Sequence, residues 1–226
     1  MAGLLIVLAG FASTAANNNW PGTVERTPVA HVIGNPAAPV TLTEYISYTC
    51  PHCRDFAMLG EEVLKQGLVR EGKLRFEYRH VIANPIDLTA TMLARCGAPE
   101  KFPANHSALM IAQPQFNAIA RLAVKSQTDR WYHGDPAARR RAIASDLNLY
   151  PILERRGYSR SELDQCLADQ ALAERLEAAG EADREEKGVP GTPSFAINGT
   201  LLEGVHNWQS LQAAMAQMQG GDPAGQ

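Results

Sequence analysis

The chain has 226 residues, 45% of them hydrophobic and 20% charged. This is enough for a domain with a full apolar core, and it removes the need for disulfides that a mini-protein would have. A net charge of −3 supplies no cationic footprint for nucleic acid or an anionic membrane, so another protein or a small molecule is the expected partner.

Residues 1–16 carry no charge and pass from an apolar stretch, Leu4 to Phe11, into Ala12, Ser13, Thr14, Ala15 and Ala16. The pattern predicts a secretory signal, although a basic start is missing; an uncleaved apolar N-terminus, or a start codon assigned too far downstream, is the alternative. The stretch is shorter than the roughly 20 apolar residues of a membrane span. Export would place the four cysteines in an oxidising compartment. In the cytosol the same four would point to a metal site or a transient redox pair.

Residues 17–39, rich in Asn, Pro and Gly, read as a leader with one short edge strand over 29–33. Residues 40–48 alternate and are rich in β-branched and aromatic side chains, which predicts a strand running into Thr49, Cys50, Pro51, His52 and Cys53. Phe56, Leu59, Val63 and Leu64 then recur at helical spacing as far as Leu68, with Glu71-Gly72 as the stop. A second strand is expected over 73–81, with Leu74, Phe76 and Tyr78 on one face and Arg75, Glu77 and Arg79 on the other. Residues 85–187 read as an all-helical block broken at Gly97-Ala98-Pro99, Gln113-Pro114, Gly134-Asp135-Pro136 and Gly157, with Ser159 and Glu162 as a capping box. Strand returns at 194–197, turns at Asn198-Gly199 and continues over 200–203, a strong hairpin signal. A last helix capped near Asn207 carries Leu211, Met215 and Met218 and ends before a tail, 220–226. The order predicts an α/β fold with a strand-helix-strand crossover and a large helical insertion.

The cysteine pair falls at a helix start. Unpaired backbone N–H groups and the positive end of the helix dipole there favour a thiolate on Cys50. Pro51 has no N–H to lose in the first turn, and a protonated His52 would add positive charge beside the sulfur. Such a site can bring a cysteine from a pKa of about 8.5 to roughly 3.5–7.5, favouring the dithiol by about 1.4 kcal/mol per unit. Half of a zinc site or a structural pair are the alternatives. The zinc reading is weakened because Cys96 and Cys166 lie in the helical block without a second CxxC. Gly191-Thr192-Pro193-Ser194-Phe195 opens a strand, where proline is tolerated, and taken alone is punctuation between loop and strand.

Taken together, Glu44 through Cys53 (Glu-Tyr-Ile-Ser-Tyr-Thr-Cys-Pro-His-Cys), the helical insertion and Thr192-Pro193-Ser194-Phe195 before a hairpin resemble the DsbA-like branch of the thioredoxin superfamily. The resemblance covers the chain from about residue 28. It implies a thioredoxin-like fold made of residues 17–84 and 188–219, with residues 85–187 inserted between the two parts. It further implies a redox-active Cys50–Cys53 disulfide, and a proline at Pro193 that is cis and packs beside the sulfurs. The backbone there would pair with substrate, and Thr192 would tune the redox behaviour. A strongly lowered thiol pKa and an oxidising disulfide are properties of DsbA itself and carry over as expectations.

Glu44 stands where such proteins keep a buried acid beneath the second cysteine. It shares a strand face with Ile46 and Tyr48, so burial is plausible and would raise its pKa towards use in proton transfer with Cys53. A solvent-facing glutamate is the alternative. Relatives can carry a lysine on the next strand, but Glu77-Tyr78-Arg79-His80 offers none.

Cys96 and Cys166 both fall on helical faces and could be two buried thiols. In an exported protein with an even cysteine count, a structural Cys96–Cys166 disulfide is expected. Function on this reading is disulfide donation to reduced or unfolded exported proteins in the periplasm or another extracytoplasmic space. No cofactor is needed, and a quinone-linked membrane oxidase would restore the disulfide. The short leader leaves no room for a dimerisation domain, which favours a monomer over a dimeric isomerase or reductase. A non-catalytic thioredoxin-like binding or chaperone module is the rival outside enzymes. His31, His80, His106, His133 and His206 show no ligand spacing, and most of them are expected at the surface or at caps; Arg139-Arg140-Arg141 is expected as a solvated helix face rather than a binding patch.

Overall fold

Among the residues described by the computed structural model, 19–220, six strands form one mixed sheet. They are β1 (Val24–Arg26), β2 (Ala30–Gly34), β3 (Val40–Ile46), β4 (Leu74–His80), β5 (Ser194–Ile197) and β6 (Thr200–Leu201), in the spatial order β1-β2-β4-β3-β5-β6. The segment expected to direct export, residues 1–16, lies outside the described residues.

β3 and β4 run parallel, from Val40 opposite Leu74 to Ile46 opposite His80. A parallel pair needs a long crossover; here it is α1 (Pro51–Leu59), α2 (Glu61–Leu64) and a π-helical turn, Lys65–Val69. The single helix expected to Leu68 is interrupted at Gly60. A Cβ there would stand 2.6 Å from the Phe56 ring and 2.8 Å from Trp208, so glycine lets both rings close over the helix. β5 lies antiparallel to β3 and turns into β6 through Asn198 and Gly199, both at positive φ as a tight hairpin requires. With neighbours on both sides, β3 buries every residue from Leu42 to Ile46.

The strand expected over 29–33 is not an edge. β2 is buried throughout and lies between β1 and β4.

The helical block comprises α3 (Pro85–Ala94), α4 (Phe102–Arg121), α5 (Lys125–Tyr132), α6 (Pro136–Asp146), α7 (Leu149–Glu154), α8 (Arg160–Ala168) and α9 (Gln170–Glu185); α10 (Trp208–Gly220) follows the hairpin. The caps are those the sequence signals: Asp135 accepts from the Ala138 N–H, and Ser159 and Glu162 satisfy each other's backbone. One apolar core runs from Phe56, Phe76 and Phe195 through Phe102 into Leu109, Leu153 and Leu163. The break expected at Gln113-Pro114 does not occur, and α4 continues through Pro114. An internal proline costs about 3 kcal/mol, but Leu109, Met110, Gln113 and Phe116 bury one face of the helix around it, and packing overrides propensity.

Three of the histidines expected mostly at the surface, His31, His80 and His106, are buried, as is Arg140, whose Nε donates to the Leu167 carbonyl at 2.6 Å. Periodicity identifies helical faces but not the second layer that covers them.

Candidate active site

Cys50 is the N-cap of α1, extended at φ −80°, ψ 116°, with Pro51 next and Cys53 in the first turn. The loop that delivers it from β3 is held from the helical block. The Asp87 carboxylate accepts from the Ser47 hydroxyl at 2.7 Å and the Thr49 N–H at 2.8 Å. Gln113 Nε2 donates to the carbonyls of Tyr48 (2.9 Å) and Cys50 (2.8 Å), and Asn117 Nδ2 to that of Thr49 (3.1 Å). Sequence reasoning missed Asp87, Gln113 and Asn117. The one available signal was the four-residue spacing of the two amides on the helix that the proline was expected to break.

The two thiols differ sharply. Cys50 is half-buried and its pKa is lowered to about 5. The hydrogen bond from Cys53 is the main cause; the Thr192 side chain and the backbone N–H groups of Cys53 and His52 add to it, while burial opposes. A thiol on Cys50 donates to the Thr192 carbonyl at 3.1 Å, a bond surrendered on ionisation. The His52 imidazole is exposed, and it is the residue's backbone N–H that bears on the sulfur. Cys53 is fully buried, and burial, its bond to Cys50 and the charge of Glu44 push its pKa well up. Both are free thiols, the reduced state of the pair.

The Thr192–Pro193 peptide is cis and opens β5, bringing residues 142 positions away against Cys50. The Pro193 carbonyl lies 2.9 Å from His206 Nδ1. Glu44 lies wholly buried in β3, neither carboxyl oxygen has a hydrogen-bond partner, and burial, then the like charge of Glu61, raise its pKa well above the usual range. Directly across the ladder stands Tyr78, in the place where a lysine was sought. The cation comes instead from Lys65, on the π-helical turn, 2.7 Å from Glu61.

Cys96 and Cys166 form a disulfide with a Cα separation of 5.7 Å, tying the end of α3 to α8. Both are thereby unavailable as metal ligands, and among the described residues no three His, Cys, Asp or Glu side chains gather as a metal site.

A family model described as thioredoxin matches residues 26–217. The chain belongs to the thioredoxin family. Within it, the chain is similar to a crystal structure described as protein-disulfide isomerase from Novosphingobium aromaticivorans, with 41% identity, a TM-score of 0.80, and 84% of this chain and 96% of that one covered. Wolbachia pipientis alpha-DsbA1 shares the fold at 19% identity and a TM-score of 0.67, covering 86% and 93%. A Rickettsia bellii protein named "Putative protein-disulfide oxidoreductase" is 28% identical over 185 residues, 81% of this thioredoxin-family chain. The chain spans 62% of that curated relative's length.

Proposed function

We propose that the chain is an exported thiol:disulfide oxidoreductase that donates a Cys50–Cys53 disulfide to reduced proteins outside the cytoplasm. The observation that carries this reading is the asymmetry of the pair: a half-buried Cys50 with a pKa lowered to about 5 beside a buried Cys53 pushed the other way. A substrate thiolate attacks the Cys50 sulfur, the Cys50–Cys53 bond breaks, and its electron pair goes to Cys53, which takes a proton from Glu44. A second substrate thiolate then attacks the substrate sulfur of the mixed disulfide, and Cys50 leaves as a stabilised thiolate. Two electrons stay on the cysteines and the substrate keeps a disulfide. Pro51 sets the helix turn, His52 helps hold the Cys50 thiolate, and Thr192 and Pro193 offer backbone to the substrate beside the sulfur.

A stabilised thiolate favours the dithiol and so makes the disulfide oxidising. The protein acts as a monomer without a cofactor, and a quinone-linked membrane oxidase reoxidises it. Among the described residues no helix is long and apolar enough to cross a membrane. The test is oxidative refolding of a reduced, unfolded substrate: the oxidised wild type should form substrate disulfides and Cys50→Ser should not. A potential for the pair as low as that of thioredoxin would sink the oxidase direction.

Isomerisation is a second reading, favoured by the 41% identical structure described as a protein-disulfide isomerase. Recovery of a substrate with scrambled disulfides by the reduced protein would select it.

A further inference from the structure

Across the ladder from Glu44, beyond Tyr78, lies a buried polar cluster that the exchange steps above leave unused. Glu61 of α2 is buried with both oxygens occupied: Oε1 lies 2.9 Å from His106 Nε2, and Oε2 accepts from the Tyr78 hydroxyl and the Lys65 ammonium, each at 2.7 Å. His106 Nδ1 continues to the Tyr48 hydroxyl at 2.9 Å. A carboxylate can only accept, so His106 Nε2 carries the proton that faces Glu61. Glu44 is its opposite, fully buried and unpartnered, and its cross-strand neighbour Tyr78 spends its hydroxyl on Glu61. Two neighbouring buried carboxyls do not both ionise readily. The one with three donors keeps the charge, and the one with none keeps the proton.

We propose that Glu61 is a positioning residue for disulfide exchange: ionised and fixed by Lys65, Tyr78 and His106, it keeps the proton on Glu44, so that Glu44 meets Cys53 as a neutral acid. The inference rests on the exchange function proposed above. As the disulfide opens, the electron pair released onto Cys53 takes this proton; the Glu44 O–H bond breaks, the Cys53 S–H bond forms, and Glu44 becomes a carboxylate beside ionised Glu61. That like-charge pair is unfavourable, which makes Glu44 a ready base when Cys53 must lose its proton again on reoxidation.

The titratable groups around Glu44 are Cys50 and Cys53 from α1, Glu61 from α2, Lys65 from the π-helical turn, Tyr78 from β4, and Tyr48 just beyond β3. His80 is next on the Tyr78 face of β4, and His106 of α4 touches Glu61; β5 brings Phe195, which does not titrate. Lys65 opposes the effect of Glu61 on Glu44.

Infrared difference spectroscopy of the full reduced chain across pH tests the proposal, reading the carboxylic-acid carbonyl band that Glu44→Gln removes. Glu61→Gln should lower the pH at which this band is lost by about one unit or more. Tyr78→Phe, which removes a donor that keeps Glu61 ionised, should lower it too, whereas Lys65→Met, which removes the cation opposing Glu61 at Glu44, should raise it. A purely structural role predicts no such opposition of sign. A band unmoved by Glu61→Gln, or moved the same way by all three variants, overturns the proposal. Should Glu61→Gln fail to fold by circular dichroism, Tyr78→Phe decides, because its hydroxyl acts on Glu44 through Glu61 and an unmoved band then overturns the proposal as well. The band is read without any exchange assay, so a wild type inactive in refolding defeats the proposed function without touching this result.

Discussion

The Cys50 sulfur and the carbonyl oxygen of Thr192 lie 3.1 Å apart, although 142 residues of sequence separate them. The contact places the cis Thr192–Pro193 peptide beside the half-buried sulfur. It also gives Thr192 two opposed roles: its carbonyl accepts from the thiol, while its side chain favours the thiolate.

Thr192→Val separates those roles, because it keeps the backbone and the side-chain shape but removes the hydroxyl. The Cys50 titration should move upward from about 5. Ultraviolet thiolate absorbance of the reduced protein across pH measures it, with Cys50→Ser as the blank. An unchanged titration would remove Thr192 from the control of this thiol.

The Cys50 shift also sets a pH dependence of stability. The pKa is about 5 in the fold and about 8.5 in an unfolded chain. For a depressed acid, the stabilisation is complete above the unfolded value and disappears as pH falls through the folded value. Raising pH from 5 to 8.5 should therefore stabilise the reduced protein relative to the oxidised one, which has no Cys50 thiolate. Thermal melts of both forms check this, and a constant difference in Tm would refute it.

Gln113→Ala should leave the Tyr48 and Cys50 carbonyls without the donor that now holds them at 2.9 and 2.8 Å. A loss of about 1–3 kcal/mol is expected, read from the denaturant midpoint at constant m. Exchange through Cys50 should also slow, since the loop carrying it is released. Loss of stability without slower exchange would limit Gln113 to a role in folding.

Replacing Cys96 and Cys166 together by alanine opens a loop of 70 residues. In the chain-entropy account this costs up to about 4 kcal/mol, measurable by denaturation under conditions that leave Cys50 and Cys53 reduced. The Cys50 titration should stay at about 5, because neither residue touches it. A shift would couple the structural disulfide to the active pair.

Much of the fold was legible because it is written in local pattern. The alternation of residues 40–48, proline at the head of a helix, Asn198-Gly199 between apolar runs and the Ser159–Glu162 cap each act over a few residues, and each appears in the structure. The exceptions fail for one reason. His106, Glu61, Gln113 and Arg140 are polar residues on helices, which periodicity assigns to solvent. The sheet and insertion pack against both sides of these helices, and the polar groups are buried with partners supplied from 17 to 65 residues away. The proline at 114 misled in the same way, because the energy that keeps α4 continuous lies in its contacts and not in its propensity.

The residues proposed to do the chemistry were therefore visible in the sequence: two cysteines at a helix start, an acid six positions earlier, and a Thr-Pro pair before a strand. What only the tertiary structure decided was their charge state. Ionisation depends on burial and on distances of a few ångströms between groups remote in sequence. Cys50 is set against Thr192, Glu44 is left without a partner, and Glu61 is surrounded by donors only when the chain has closed around all of them.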